Sequence, residues 1–132
     1  ATQDPVIVLH LSETSGLPFY RQIEDQIAEL IHTGQLEAGT RLPSVRELAA
    51  QTLVSVVTIR RAYEDLDRAG LIVRRQGQGT FVADDSQAAS AVLSAERSRD
   101  ELRDVLRRAQ QRGIDRETLR GWCDELLDEL DP

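Results

Sequence analysis

The chain has 132 residues, and its 16 basic side chains, all arginine, are outnumbered by 23 acidic ones, which gives a formal net charge of −7. This length accommodates one compact domain with an appendage. Taken alone, a negative total disfavours a polyphosphate partner such as nucleic acid, because binding to a polyphosphate depends on Lys and Arg that release its counterions.

Composition excludes several other classes of protein. The longest apolar run, residues 6–9, is far shorter than the roughly 20 residues that span a bilayer, and no charged leader precedes a signal-type core. We therefore expect a soluble, cytoplasmic protein with no membrane partner. The lone Cys123 has no Cys or His at metal-ligand spacing, so we expect no disulfide, no metal site and no cofactor.

The charges are distributed unevenly along the chain. Residues 1–40 and residues 83–132 each have a net charge of −5, whereas the basic segment, residues 41–82, carries seven arginines against four acidic residues. Arg suits phosphates and guanine edges, because its guanidinium is planar and always charged. The basic segment is therefore the candidate for contact with an anionic partner.

The first predicted element is a short extended run over residues 6–11, which a turn at residues 13–16 follows. Pro18 suits the first turn of a helix, and the apolar spacing of residues 23–31 continues that helix. Gly34 is placed to end it. A short extended link then leads into the basic segment.

Two short helices with a tight turn between them follow. Ser44 and Glu47 form a capping-box pattern at the start of the first of these helices. Ser55 is an N-cap candidate for the second, whose apolar positions extend to Leu66 and which Gly70 closes. This arrangement is typical of a helix-turn-helix.

A β-hairpin is predicted directly after these helices. Residues 71–75 and residues 80–82 are β-prone runs, and a glycine-rich connection joins them. The sequence therefore predicts a mainly α fold with a small β-hairpin: a winged helix-turn-helix domain over residues 1–82, then two C-terminal α-helices over residues 83–132.

The two C-terminal helices, which Gly113 separates, have thin and partly Ala-lined apolar faces. Such faces bury too little surface to be stable alone, so a partner is implied, and pairing with a second copy is favoured over an intramolecular core. The residues expected to dimerise are Leu102, Val105, Leu106, Leu119, Trp122 and Leu126.

Four stretches resemble the GntR family of bacterial transcription regulators: LEAGTRLPSVRELA from Leu36, VSVVTIRRAY from Val54, GLI from Gly70 and GQGTFV from Gly77. The resemblance covers residues 17–82. The short helical tail resembles the YtrA-type branch of that family, in which such a tail serves as a dimerisation module.

The resemblance implies a sequence-specific, homodimeric repressor without enzymatic activity, which binds a palindromic operator in double-stranded DNA through its recognition helix and wing. The family's DNA contacts, carried over position by position, fall on Ser44, Arg46, Ser55, Val57, Thr58, Arg60, Gln76 and Gly77. Arg61, Arg74 and Arg75 are expected to add phosphate contacts.

Two positions depart from the family pattern. Leu53 stands in the turn between the two helices where a Gly is usual, so either the turn adopts another conformation or it stores strain. Val56 stands where relatives often carry Arg or Asn, which removes one polar contact and shifts recognition toward apolar or shape-based terms. The operator sequence therefore cannot be carried over from relatives.

Other interpretations of these features remain open. A winged helix can also serve as a protein–protein adaptor without DNA binding, and a third class adds a small-molecule effector of unknown identity that switches the dimer geometry. The spacing of Gly77 and Gly79 is a fragment of a nucleotide-loop pattern, but a third Gly is absent and a β-run follows. His10 and His32 lack a nucleophile pattern around them, so we expect no catalytic site.

Overall fold

A computed structural model describes residues 7–131. The chain divides into two compact units, Ala1–Ser94 and Ala95–Pro132. The elements in chain order are α1 (Phe19–His32), β1 (Arg41–Leu42), α2 (Val45–Thr52), α3 (Val56–Arg68), β2 (Ile72–Arg75), β3 (Gly79–Val82), α4 (Ser86–Gln111) and α5 (Arg116–Leu130). This is the predicted winged helix-turn-helix followed by two helices.

The sheet of the wing contains one strand more than the predicted hairpin. Its order is β1-β3-β2 and both pairings are antiparallel, with Arg41 opposite Phe81 and Ile72 opposite Val82. The sequence indicated only an extended link at β1, because a strand of two residues is too short to show an alternation of apolar and polar side chains.

The core of the first unit lies between α1, α2, α3 and the inner face of the sheet. Burial of each large apolar side chain stabilises the fold by about 1.5–3 kcal/mol. The largest fully buried apolar side chains are Ile23, Ile27, Ile31, Leu42, Leu48, Ile59, Tyr63, Leu66, Leu71, Ile72 and Val82. Those on α1 and α3 recur at helical spacing, which explains why the sequence predicted both helices.

The first turns of α4 belong to the first unit. Leu93 is buried and is part of its core, and Ser86 and Ser90 are also buried. The side chain of Gln87 donates a hydrogen bond to the carbonyl of Ile31, at the end of α1, over 2.8 Å. The compact unit therefore extends beyond residue 82, while the functional division of the chain at that residue stays a prediction.

The segment before α1 is held by two glutamine side chains rather than by strand pairing. The amide of Gln26 exchanges two hydrogen bonds with the backbone of His10, at 2.8 and 2.7 Å. Gln22, one helical turn earlier, does the same with Ser12, at 2.8 Å for both bonds. Residue 6 of the predicted extended run lies outside the described residues.

Candidate nucleic-acid interface

Helices α2 and α3 both start at the predicted serine caps. Ser44 Oγ accepts the N–H of Glu47 at 3.0 Å, and Ser55 Oγ accepts the N–H of Thr58 at 3.2 Å. A serine that accepts through its oxygen in a cap keeps an O–H that can donate. The Ser55 hydroxyl also shares a hydrogen bond of 2.9 Å with the Thr58 hydroxyl. Each helix start thus presents a capping hydroxyl and the positive end of its dipole, which suit a phosphate.

The predicted DNA contacts reach the surface of the first unit. Thr58 is half-buried, and the other ten are exposed: Ser44, Arg46, Ser55, Val57, Arg60, Arg61, Arg74, Arg75, Gln76 and Gly77. On α3 the exposed members lie opposite the buried side of the helix, which Ile59 and Leu66 occupy. Val57 is 72% exposed, so its apolar side chain is available to a partner.

Tyr63 fixes the position of the chain that leads into α2. Its hydroxyl donates a buried hydrogen bond of 2.7 Å to the carbonyl of Pro43, the residue before Ser44. Burial raises the pKa of Tyr63 well above its usual 10.0; the nearby Glu47 carboxylate adds to the rise and Arg74 opposes it. The sequence indicated Tyr63 only as an apolar position on α3, so this role of its hydroxyl was missed.

Arg61 has a packing partner within the protein. Its guanidinium lies over the ring of Tyr20 on α1, 3.8 Å from the ring centroid, in a cation–π contact. The contact covers one face of the guanidinium and leaves the N–H groups at its edge available in principle to an acceptor. A phosphate contact by Arg61 therefore stays a prediction, and the structure adds a role in joining α3 to α1.

The wing is a tight hairpin whose tip is formed by Gln76 and Gly77. The N–H of Gln78 donates to the carbonyl of Arg75 at 2.9 Å, and Gly77 and Gly79 both have positive φ angles, +75° and +122°. The Arg75 guanidinium packs on the ring of Phe81, 4.9 Å from its centroid. A flat, glycine-rich tip of this kind can approach another molecule closely.

Arg41 is a residue of this surface that the sequence did not single out. Its exposed side chain extends from β1 to the wing, where its Nε lies 3.2 Å from the position of a Cβ on Gly79. Arg41 is one of the seven arginines of the basic segment. Its proximity to the wing depends on the pairing of β1 with β3, which no sequence pattern predicted.

The two departures from the family pattern have different structural outcomes. Leu53 ends α2 in the left-handed conformation, with φ +57° and ψ +36°, so the turn keeps the conformation that favours glycine and stores strain. Leu53 is 93% exposed, so no burial compensates for the strain. Val56 is half-buried and packs against the core, which explains an apolar residue there.

The second unit exposes most of its apolar side chains. Leu119 is buried, Leu106 is half-buried, and the other four expected dimerisation residues, Leu102, Val105, Trp122 and Leu126, are between 45% and 55% exposed. Asp115 caps α5: its Oδ1 accepts the N–H of Thr118 at 2.8 Å, and this bond lowers the pKa of the Asp115 carboxyl.

Within residues 7–131, no three His, Cys, Asp or Glu side chains form a group that could hold a metal ion. No described helix is long and apolar enough to cross a membrane. His10 and His32 are both exposed.

Comparisons with known proteins agree with the geometry of the first unit. The profile of the family described as bacterial regulatory proteins, gntR family, matches residues 19–82. The chain is 29% identical over 119 residues to the HTH-type transcriptional repressor YtrA of Bacillus subtilis, an alignment that covers 90% of this chain and 92% of YtrA.

Solved structures also resemble the chain. A GntR family transcriptional regulator from Listeria monocytogenes has 31% identity and a TM-score of 0.62, and the alignment covers 84% of this chain and 96% of that one. The DNA-binding domain of AraR in complex with its operator ORE1 has 37% identity and a TM-score of 0.50, over 59% of this chain and 95% of that one. The relatives are transcription regulators rather than enzymes. The chain therefore belongs to the GntR family of bacterial transcription regulators, in its YtrA-type branch, and its first unit contains the DNA-binding domain of that family.

Proposed function

We propose that this protein is a homodimeric transcriptional repressor that binds a palindromic operator through α3 and the wing. The observation that carries the proposal is what the first unit exposes: two serine-capped helix starts, arginines on α2 and α3, and a wing tip with a positive-φ glycine. This surface supplies phosphate donors, base-reading side chains and a close-approach hairpin, which sequence-specific DNA binding requires.

Within this proposal each group has a distinct task. Ser44 and Ser55 contact phosphates at the helix starts, while Arg46 and Arg60 reach guanine edges in the major groove. The exposed Val57 packs on a thymine methyl group, the base feature that suits an apolar side chain. Gln76 and Gly77 enter the adjacent minor groove.

The dimer is inferred from the second unit. Its exposed apolar side chains would remain in contact with water in a monomer, and a second copy of the same helices covers them with matching chemistry. A two-fold dimer in turn demands a palindromic operator, with half-sites about 34–36 Å apart. Repression is supported by the likeness to YtrA along almost its whole length. Such a regulator acts in the cytoplasm, where the bacterial genome lies.

The test begins with selection of binding duplexes from a random-sequence pool by the full chain. Affinity for the selected duplex is then measured by fluorescence anisotropy for the parent, Arg46→Ala, Arg60→Ala and a matched control, Arg68→Ala. Arg68 pairs with Asp65 at the far end of α3, 3.0 Å away, so its variant removes the same charge outside the proposed surface.

We expect a loss of about a hundredfold for Arg46→Ala and for Arg60→Ala, because each dimer loses two base contacts worth about 1–3 kcal/mol apiece. Arg68→Ala stays within about threefold of the parent, as surface ion pairs contribute little. Equal affinity of all four proteins would reject this surface. A protein–protein adaptor would select no duplex and would show no salt-dependent affinity for DNA.

A further inference from the structure

Arg41 is not part of the β2–β3 hairpin that forms the wing, but its guanidinium lies beside that hairpin. Three atoms of its side chain, Nε, Nη2 and Cζ, lie 3.2, 3.7 and 3.8 Å from the position that a Cβ on Gly79 would occupy. Gly79 follows the tip residue Gly77 by two positions. The guanidinium therefore lies next to the wing tip, on a backbone stretch where the missing side chain leaves room for it.

The register of the sheet accounts for this placement. Arg41 is directly opposite Phe81, so the two side chains share the outer face of the sheet. Leu42 and Val82, the next residue on each strand, are buried on the inner face. The side chain of Arg41 thus extends along the outer face toward the tip.

Arg75, which lies on β2 of the wing, places its guanidinium farther from the tip. It is opposite Gly79 in the register, but its guanidinium packs on the ring of Phe81, two positions farther from the tip along β3 than Gly79. Of the two guanidinium groups on this face, that of Arg41 therefore has the closer contact with the residue beside the tip. The positive charge next to the tip of a wing can therefore come from a residue on a strand that precedes the helix-turn-helix in the sequence.

We propose that Arg41 is a DNA-binding residue of the wing, which contacts a backbone phosphate at the edge of the minor groove that the tip enters. This inference rests on the proposed function. The minor groove is about 6 Å wide and phosphates border it on both sides, so a cation beside an inserted tip meets the groove edge. Arg suits this contact, because its guanidinium is always charged and forms charge-assisted hydrogen bonds with phosphate.

The experiment compares the full-length parent with Arg41→Ala, Arg41→Lys and the charge-matched control Arg68→Ala on the duplex that the parent selects. Affinity is measured by anisotropy between about 50 and 200 mM salt, the range over which phosphate contacts weaken most visibly. Ethylation interference on the same duplex then locates each phosphate that matters. Thermal unfolding followed by circular dichroism checks that the variants fold.

We expect Arg41→Ala to lose about tenfold or more in affinity, the effect of removing charge-assisted hydrogen bonds. The slope of log affinity against log salt should fall by about 2, because each protomer of a dimer loses one phosphate contact. Ethylation of one phosphate per half-site, beside the minor groove, should no longer interfere. Arg41→Lys should keep the parent's salt slope, since it retains the charge.

Two results would overturn the inference, and they are distinguishable. If the parent selects no duplex, the proposed function fails and the role of Arg41 fails with it. If the parent binds but Arg41→Ala matches Arg68→Ala in affinity, salt slope and interference pattern, the DNA-binding surface stands and Arg41 is not part of it. Loss of affinity in Arg41→Ala without a change in slope or interference would reduce Arg41 to a structural support of the wing.

Discussion

The two units of this chain differ in how much of their apolar surface they bury. The first contains an apolar core in which residues such as Ile23, Ile59 and Leu66 are at most 1% exposed. In the described part of the second, Leu119 is the buried apolar residue, and side chains as large as Trp122 remain 45% exposed. The exposed apolar surface of the second unit is the reason why we propose that this unit binds a partner.

The difference also separates two tasks. In the first unit, internal contacts fix parts of the proposed recognition surface, such as the hydrogen bond from Tyr63 to Pro43 and the stacking of Arg61 on Tyr20. The second unit contributes an exposed apolar surface. We infer that the first unit provides the sequence specificity. The second unit would pair two copies of the chain, so that each dimer carries two recognition surfaces.

The largest expected effect comes from disrupting the second unit. Trp122→Asp combined with Leu126→Asp places charges on its exposed apolar face, so we expect a monomer in sedimentation velocity. Operator affinity should fall by about a hundredfold or more, because two linked half-site contacts become independent.

The matched control for this variant places the same charges in the first unit. Val8 and Leu17 are exposed apolar residues there, 67% and 46% accessible, and Val8→Asp with Leu17→Asp should leave the dimer and its operator affinity unchanged. A double variant of the second unit that still sediments as a dimer would move the interface into the first.

A smaller effect is expected at Tyr63. Tyr63→Phe leaves the buried carbonyl of Pro43 without its donor, so the free energy of unfolding in urea should fall by about 1–2 kcal/mol. The pKa of Tyr63 is raised in the folded state, so the hydroxyl's contribution is fully present below the unfolded pKa of about 10. It is lost as the pH rises above 10 toward the folded value.

The parent should therefore lose stability more steeply than Tyr63→Phe above pH 10. If the stability of the two proteins fell in parallel above pH 10, the Tyr63 hydroxyl would not be buried in its protonated form. Near neutral pH, operator affinity should fall for Tyr63→Phe if the Pro43 bond positions Ser44 for its phosphate.

The smallest effect is a gain at Leu53. Leu53→Gly removes a left-handed strain of about 1 kcal/mol, and because the side chain is almost fully exposed the substitution sacrifices little packing. We expect the midpoint of thermal unfolding to rise slightly, with Leu53→Asn intermediate. A decrease in stability would show that the leucine contributes a contact that offsets its strain.

The sequence predicted the helices and hairpin well because their signals are local. Ser44 and Ser55 were expected as caps and are caps, and the positive φ of Gly34 and Gly70 confirms the predicted helix ends. These features depend on residues within four positions of one another.

Features that depend on tertiary pairing were not predictable in this way. The third strand β1, the approach of Arg41 to Gly79 and the bond from Tyr63 to Pro43 each join residues far apart in the chain. The net charge illustrates the same limit. A total of −7 argued against nucleic acid, whereas the distribution of arginine along the chain located the basic segment.

The measurement that tests the account most directly is the mass of the full chain by light scattering, free and bound to the duplex that it selects. One chain has a mass of 14.8 kDa. The account predicts twice that mass for the free protein, and two chains on each palindromic duplex. A free protein with the mass of one chain, bound as a single copy to a duplex without two-fold symmetry, would contradict it.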